Sequence, residues 1–267
     1  MPASLSGRTA IVTGGATIVG RGVVQALHDE GATVVIADID TEGAEAAAQA
    51  IGDGVHAVGL DITDDVAVAS FCDSVVAEYG GIDTLVNLAC TYIDDGAATT
   101  RSDWLTALDV NLVSAVRFAE AVRPHLASSG HGAIVNFTSI SSSVAQTGRW
   151  VYPATKAAMV QVTRSMAMDY AGDGIRVNSV SPGWTWSKIM DTLSGGNRER
   201  TDAVAADFHL TRRVGDPLEV GRVVAFLVSD AASVVTGADW AADGGYSAMG
   251  PEQSYASIPK LIPEGKD

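Results

Sequence analysis

Short apolar runs alternate with longer amphipathic segments along most of the chain, and this alternation is its most informative feature. The short runs are rich in Val, Ile, Ala and Thr, which is typical of strands buried on both faces of a sheet. Such strands are predicted at 9–13, 33–37, 55–60, 84–87, 133–137, 176–180 and, as a short last strand, 239–242. Helices are predicted between them at 21–30, 42–50, 64–79, 102–126, 153–171 and 218–229.

The order of these elements predicts an α/β protein. Strand–helix alternation is typical of a single-domain, Rossmann-type doubly wound parallel β-sheet flanked by helices on both faces. No linker or repeat divides residues 1–250, which we assign to one domain. Residues 184–215 fit the alternation poorly, and a late irregular insertion of this kind is a usual position for a substrate lid. Residues 251–267 form a C-terminal tail, which is either a disordered end or an arm that reaches a neighbouring subunit.

Composition and charge exclude several classes of function. The 267 residues are 47% hydrophobic and 18% charged, as in ordinary globular proteins. A formal net charge of -15 argues against nucleic-acid binding, which needs clustered Lys and Arg. Cys72 and Cys90 are too few for a disulfide framework or a cysteine metal site. With neither a signal peptide nor an apolar run near the ~20 residues of a membrane span, we expect a cytoplasmic protein without metal or membrane partner.

The first predicted strand runs directly into a glycine-containing turn, Thr13-Gly14-Gly15-Ala16-Thr17-Ile18-Val19-Gly20. In such a turn, backbone amides approach a pyrophosphate that lies at the N-terminus of the next helix. Asp38 ends the second strand, where a carboxylate binds the ribose hydroxyls of NAD and repels the extra phosphate of NADP. No Lys or Arg stands at Ala16, Thr17 or Ile39 to hold that phosphate, so NAD is the predicted cofactor. The alternative for Asp38 is an ordinary turn residue.

Asp61 follows the third predicted strand, at the same end of the sheet as the glycine turn. From there its carboxylate would reach the adenine ring of the dinucleotide. The alternative is that this segment only starts the next helix, with Thr63 or Asp64 as the N-cap.

Tyr152 and Lys156 are four residues apart, which places a phenol and an ammonium on one face of a helix. The ordinary explanation of such a pair is a packed tyrosine beside a solvated lysine. Two polar residues favour chemistry instead: Ser139 follows a strand, and Asn111 stands inside a predicted helix, where an amide is unusual for a packed position. A phenol of pKa ~10 becomes an effective base for a hydroxyl proton when positive charges surround it. The serine would hold the substrate oxygen, and the amide would fix a water that relays protons.

These motifs, in this order, resemble the classical short-chain dehydrogenase/reductase family over nearly the whole chain. The match is carried by the turn at 13–20 together with Asp61, Asn87, Asn111, Ser139, Tyr152, Lys156, Asn178, Ser181-Pro182-Gly183, Val235-Thr236-Gly237 and Asp243-Gly244-Gly245. The resemblance implies hydride transfer at a nicotinamide, and a homotetramer, with a homodimer as the alternative. The catalytic set that it implies is Ser139, Tyr152, Lys156 and Asn111. The cofactor-binding residues, including those argued above, are Gly14, Thr17, Ile18, Val19, Gly20, Asp38, Asp61, Ile62, Asn87, Ala89, Tyr152, Lys156, Pro182, Gly183, Thr185 and Ser187.

The chain departs from the family pattern at three places. Ile18 replaces the middle glycine of the turn, Leu88 and Cys90 stand in the family's Asn-Asn-Ala-Gly segment, and Ser187 replaces a common threonine. Because a β-branched residue resists positive φ, we expect the turn to keep negative φ at Ile18 with the side chain turned away. Cys90 is expected to be a small apolar filler near the nicotinamide, with a reactive thiol as the alternative.

The candidate substrate residues are mainly apolar and aromatic. They are Tyr92, Ser141, Gln146, Trp150, Trp184, Trp186 and Met190. This lining suits a hydrophobic, aromatic or alicyclic secondary alcohol or ketone, but the same aromatics would serve in packing the lid or a subunit interface. Arg149 and Lys188 are either contacts for an anionic substrate or solvated surface charges. We therefore expect an NAD-dependent oxidoreductase for such a substrate. The alternatives are a non-catalytic dinucleotide-binding sensor or scaffold, and an enzyme that reduces a carbon–carbon double bond.

Overall fold

The computed structural model describes residues 4–250, and the predicted tail at 251–267 lies outside them. Seven strands in the described part form one sheet in the order β3-β2-β1-β4-β5-β6-β7, and every neighbouring pair is parallel. The strands are β1 (Thr9–Thr13), β2 (Thr33–Asp38), β3 (Val55–Gly59), β4 (Thr84–Asn87), β5 (Ala133–Phe137), β6 (Arg176–Pro182) and β7 (Asp239–Ala242). The predicted doubly wound parallel sheet is confirmed.

Helices cover both faces of the sheet. They are α1 (Ile18–Asp29), α2 (Thr41–Ile51), α3 (Asp65–Tyr79), α4 (Arg101–Leu108), α5 (Ser114–Ser129), α6 (Val151–Tyr170), α7 (Lys188–Ser194), α8 (Arg198–Ala205) and α9 (Pro217–Val228). One apolar core lies between the sheet and α1, α2 and α9, and the other between the sheet and α3, α5 and α6. Residues on the central strands are fully buried, which explains why these strands are continuously apolar. No helix within residues 4–250 is long and apolar enough to cross a bilayer.

The single helix predicted at 102–126 is wrong, because a π-helical turn at Asp109–Val113 separates α4 from α5. Asn111 lies in this turn, and its side chain binds the backbone of Thr91 on both sides: Oδ1 accepts from the N–H at 2.7 Å, and Nδ2 donates to the carbonyl at 3.0 Å. Turns of this kind are frequent at functional sites. The contact is tertiary, so the local hydrophobic period does not reveal it.

Two further elements differ from the prediction. Helix α1 begins three residues early, at Ile18, because the Thr17 hydroxyl accepts a hydrogen bond from the Gly20 N–H at 3.0 Å and caps the helix. The segment at 184–215, predicted as irregular, contains α7 and α8. Helix α8 is polar along most of its length, so its sequence carries little of the apolar period that marks a helix.

Candidate active site

The strand order places β1 next to β4, and the chain winds away from this pair in opposite directions. In doubly wound sheets, a crevice opens at the carboxyl ends of such strands and binds the ligand. Here a cavity of about 870 Å³ lies at that position. It is lined by the glycine turn after β1, by the segments after β4, β5 and β6, and by helices α7 and α8 of the segment at 184–215, which was predicted to be a lid and is called the lid segment below.

Tyr152, Lys156 and Ser139 line this cavity together. Tyr152 and Lys156 lie at the start of α6 and are only 8% and 3% exposed. Lys156 Nζ donates to the Phe137 carbonyl at 2.8 Å and lies 5.6 Å from the centroid of the Tyr152 ring. Ser139 is buried after β5, and its hydroxyl donates to Ser141 Oγ at 3.2 Å. The arrangement thus brings a phenol, an ammonium and a hydroxyl to one wall.

Burial sets the protonation state of these groups. It is the main reason why the pKa of Tyr152 lies above its ordinary value, and the electrostatic influence of the neighbouring Cys90 raises that pKa further. The Ser139 hydroxyl, the Tyr92 hydroxyl and the charge of Arg149 act in the opposite direction. Burial also lowers the pKa of Lys156. At neutral pH the phenol is therefore protonated and available as a proton donor.

Asn111 supports this wall from behind rather than lining it. Besides its two bonds to Thr91, its Nδ2 donates to Thr155 Oγ1 at 3.3 Å. The Thr155 hydroxyl in turn donates to the Tyr152 carbonyl at 2.8 Å. The amide is therefore linked to the first turn of α6 and to the segment that follows β4.

Asp94 was not predicted, although it fixes the position of Tyr152. Its Oδ2 accepts from the Tyr152 N–H at 2.9 Å, and its Oδ1 accepts from the N–H groups of Trp150 at 2.9 Å and Gly96 at 3.1 Å. It caps α6, whose own preceding residue provides no side-chain cap. Partial burial alone would raise the pKa of Asp94, but these backbone hydrogen bonds bring it below its ordinary value.

The end of the cavity at the glycine turn fits a dinucleotide. Eight of the residues predicted to bind the cofactor line the cavity here: Thr17, Ile18, Val19, Ala89, Pro182, Gly183, Thr185 and Ser187. At Gly14, with φ +74°, an added Cβ would lie 2.8 Å from the Cα of Ala89, so only glycine fits where the turn packs against the segment after β4. Arg212 is the one non-glycine residue with positive φ in the described part, so φ at Ile18 is negative as expected. Ile18 nevertheless lines the cavity rather than leaving it.

The remaining predicted cofactor residues lie around this end without lining the cavity. The Gly20 N–H donates to the Thr17 hydroxyl, and Asp38 lies behind the turn, where its carboxylate accepts from the Ala16 N–H at 2.9 Å. Asp61 accepts from the Thr63 N–H and hydroxyl, which lower its pKa, while Asp64 caps α3. Ile62 is half-buried beside Asp61, and Asn87 is buried and donates to Asn136 Oδ1 at 2.9 Å.

The lid end of the cavity includes most of the predicted substrate residues. Tyr92, Ser141, Gln146, Trp184 and Met190 line it, and the Tyr92 ring stacks on that of Tyr152 with centroids 4.9 Å apart. Two predicted residues do not line it: Trp150 is 55% exposed, and the Trp186 ring packs under the Arg198 guanidinium at 5.3 Å. Two residues that the sequence left undecided, Arg149 and Lys188, also line the cavity. The further lining residues at this end that were not predicted are Ile189, Leu193, Arg200, Val204, Phe208 and Tyr246.

His209 holds the lid segment from inside the protein and was also missed. It is 1% exposed, and its Nε2 accepts from the Trp184 N–H at 3.2 Å. Its Nδ1 lies 3.0 Å from the Ala205 carbonyl, so this nitrogen carries the proton. Burial lowers the pKa of His209 and keeps the ring neutral, as acceptance at Nε2 requires. His209 belongs to no recognisable sequence motif, so its role could not be predicted from the sequence.

A parallel sheet with a glycine turn at its switch point, beside a buried tyrosine–lysine pair, is the arrangement of an oxidoreductase that uses a nicotinamide dinucleotide. Comparison with known proteins gives the family. A family model described as enoyl-(acyl carrier protein) reductase matches residues 14–247. The chain belongs to the short-chain dehydrogenase/reductase family, and the resemblance found in the sequence is confirmed.

Individual relatives cover almost the whole chain. A cis-4-hydroxycyclohexanecarboxylate dehydrogenase of Sinomonas cyclohexanicum is 38% identical over 248 residues, 91% of this chain and 97% of the relative. A D-threitol dehydrogenase of Mycolicibacterium smegmatis is 36% identical, over 91% of this chain and 94% of the relative. Among solved structures, the L-sorbose reductase from Gluconobacter frateurii, complexed with NADPH and L-sorbose, superposes with a TM-score of 0.85 at 26% identity. That match covers 92% of this chain and 98% of the reductase.

Proposed function

We propose that this protein is an NAD-dependent oxidoreductase that interconverts a secondary alcohol and a ketone with a hydrophobic, alicyclic or aromatic body. The observation that carries the proposal is the common wall formed by Tyr152, Lys156 and Ser139 in the same cavity as the glycine turn. The relatives are named for alcohol substrates, one of them an alicyclic hydroxy acid. That agreement supports a carbinol carbon as the reacting centre.

In the proposed mechanism, a nicotinamide dinucleotide held at the glycine turn would supply the hydride chemistry. The Ser139 hydroxyl holds the substrate oxygen, and the Tyr152 phenol exchanges a proton with that oxygen. Lys156, oriented by the Phe137 carbonyl, favours the phenolate through its charge. Asn111 keeps the segment before Tyr92 and the first turn of α6 in register. We propose that the cofactor-binding residues named from the sequence contact the dinucleotide.

The direction of the Tyr152 pKa shift has a consequence for pH dependence. Ketone reduction needs the protonated phenol, which burial favours, whereas alcohol oxidation needs the phenolate. Because the pKa lies above its ordinary value, the phenolate gains population only as the pH rises above neutral. Initial rates of oxidation are therefore expected to increase with pH over the alkaline range, whereas those of reduction stay level until the pH approaches the raised pKa of Tyr152. Equal pH profiles in both directions would contradict this role.

The preference for NAD rests on Asp38. Its carboxylate lies behind the glycine turn and accepts from the N–H groups of Ala16 at 2.9 Å and Asp40 at 3.0 Å, where a 2′-phosphate would meet like charge. Arg21 is bound to the carbonyls of Ala16 and Gly43. Removing the Asp38 carboxylate would take away one negative charge beside this guanidinium.

The test offers purified protein a panel of alicyclic and aryl secondary alcohols with NAD or NADP, and identifies the products. We expect ketone and NADH, with NAD preferred. Asp38→Ser is expected to shift the NAD-to-NADP ratio of kcat/KM by about tenfold or more, corresponding to ~1.4 kcal/mol. Asp53→Ser, at an exposed carboxylate elsewhere, is the control and should leave the ratio unchanged. Reduction of a carbon–carbon double bond, or dinucleotide binding without turnover of any alcohol or ketone, would contradict the proposal.

A further inference from the structure

The charge of the cavity differs from that of the chain. Acidic residues outnumber basic ones by 32 to 17 in the sequence. Among the described residues that line the cavity, however, there is no Asp or Glu, whereas four are cationic: Lys156, Arg149, Lys188 and Arg200. Because basic residues line this cavity and acidic residues do not, the cavity presents a positive potential to its ligand.

Two of these cations have assigned partners or roles. Lys156 belongs to the catalytic wall and donates to the Phe137 carbonyl. Lys188 lies beside Asp191, with Nζ 3.4 Å from Oδ2, and its side chain is 79% exposed. Its charge is therefore largely compensated by a residue of its own helix and by water. Neither cation is free to recognise the far end of a substrate.

Arg149 and Arg200 are exposed as well, but they differ from Lys188 in having no acidic partner among the described residues. Within residues 4–250, neither guanidinium forms an ion pair with a carboxylate or a hydrogen bond to another side chain. Arg149 stands just before α6, three residues before Tyr152 in the chain, and lines the cavity together with Tyr152 and Gln146. Arg200 lies on the lid helix α8, next to the cavity residues Thr201 and Val204. Both lining arginines therefore keep their donors available.

Apolar side chains line the same end of the cavity. They are Tyr92, Ile189, Met190, Leu193, Val204 and Phe208. Such a lining favours a compact hydrocarbon body. A guanidinium is suited to bind a carboxylate on such a body, because its planar donors match the two carboxylate oxygens.

We propose that Arg149 and Arg200 bind a carboxylate carried by the substrate, so that the substrate is a secondary alcohol or ketone whose apolar body separates the reacting carbon from that carboxylate. This inference rests on the proposed function for the position of the reacting carbon. The lid and the segment before α6 then act together, because each supplies one of the two cations. A neutral alcohol of the same shape would lack this anchor.

The turnover test compares 4-hydroxycyclohexanecarboxylate with its methyl ester, which removes the charge and keeps the ring. The wild type is expected to prefer the acid in kcat/KM by about tenfold or more. Arg149→Gln and Arg200→Gln are each expected to lower this acid-to-ester ratio by about tenfold, mainly through KM, and Arg149→Lys to restore part of it. Arg222→Gln, at an exposed arginine on α9 outside the cavity lining, is the matched control and should keep the wild-type ratio. An ester turned over as well as the acid by the wild type would overturn the inference.

A binding test separates this inference from the proposed function. Cyclohexanecarboxylate and cyclohexanecarboxamide have no hydroxyl to oxidise, so calorimetry on the NAD-loaded protein reports recognition alone. Tighter binding of the carboxylate, weakened about tenfold in Arg149→Gln and in Arg200→Gln, supports the inference even if no alcohol is turned over. Equal binding of acid and amide, or unchanged binding in both variants, contradicts it even if alcohols are oxidised.

Discussion

The position of Tyr152 depends on a side chain that lies 58 residues away in the sequence. Asp94 accepts hydrogen bonds from the backbone N–H groups of Trp150 and Tyr152, so it fixes the point at which the chain enters α6. Without it, these N–H groups would lose their partner at a helix end that has no other side-chain cap. The phenol, to which we assign the proton transfer, would lose its fixed position beside Lys156.

We predict that Asp94→Ala lowers the free energy of unfolding by about 1–2 kcal/mol, as the loss of a helix cap does. Because the cap also positions the phenol, kcat should fall while NAD affinity stays close to the wild-type value. Urea unfolding, steady-state kinetics and calorimetry measure the three quantities. Asp95→Ala is the control, because Asp95 is exposed and its side chain caps nothing. Equal effects of the two substitutions would argue against the role of Asp94.

At the residue scale, the sequence is informative where chemistry is local. Tyr152 and Lys156 are linked by helical spacing, and Ser139 follows a recognisable strand, so this set could be named before the structure was known. Asp94 and His209 act through hydrogen bonds to backbone groups, which the spacing of residues along the sequence does not predict. Trp150 and Trp186 share the aromatic character of Trp184, but only the structure shows which of the three face the cavity.

At the scale of elements, the contact between α1 and α9 joins the glycine turn to the lid. Helix α1 begins at the turn, and α9 follows the lid segment directly. The two helices approach through glycines: an added Cβ at Gly221 would lie 2.3 Å from the Gly22 carbonyl oxygen, and one at Gly22 would lie 2.4 Å from the Pro217 carbonyl carbon. Any larger side chain would separate the helices.

Gly221→Ala is therefore expected to destabilise the protein by about 1–3 kcal/mol through overpacking, although alanine favours a helix by about 1 kcal/mol. Displacement of α1 should also weaken NAD binding. Gly172→Ala provides the comparison, because an added Cβ there meets nothing within 4 Å. Denaturant unfolding of both variants measures the difference. A Gly221→Ala protein as stable as Gly172→Ala would show that the helices do not pack as closely as described.

The elements themselves were predictable to different degrees. The central strands were found within two residues of their ends because they are continuous apolar runs. The interruption at Asp109–Val113 escaped prediction because the bonds of Asn111 to Thr91 stabilise it from another segment. Helices α7 and α8 escaped because they cover the cavity rather than the core, so few of their residues carry the apolar period.

At the scale of the whole molecule, the surface beside the last strand bears an aromatic pair. Phe226 on α9 and Trp240 on β7 are 36% and 37% exposed, with ring centroids 5.5 Å apart. Strand β7 is an edge strand, and an exposed apolar edge invites pairing with another chain. This surface is where we expect a second copy of the chain to bind in the homotetramer predicted from the sequence.

We predict that the double variant Phe226→Ser and Trp240→Ser has a smaller mass in solution than the wild type, as measured by light scattering after size exclusion. Removal of two aromatic side chains from an interface removes the kind of residue that commonly dominates binding energy. Val66→Ser, at a 76% exposed position on α3, controls for the loss of surface hydrophobicity. A mass unchanged in the double variant would exclude this surface as the interface.

Tyr152→Phe removes the phenol oxygen and keeps the ring, so it tests the central claim that this residue is the acid–base of an NAD-dependent alcohol oxidation. The measurement is the rate of NADH formation by the variant and the wild type with the same secondary alcohol, with NAD binding of both followed by calorimetry. We predict a rate at least about 100-fold lower with NAD affinity retained, as expected for loss of a general base. A variant that keeps NAD binding and oxidises the alcohol within about tenfold of the wild-type rate would contradict the account.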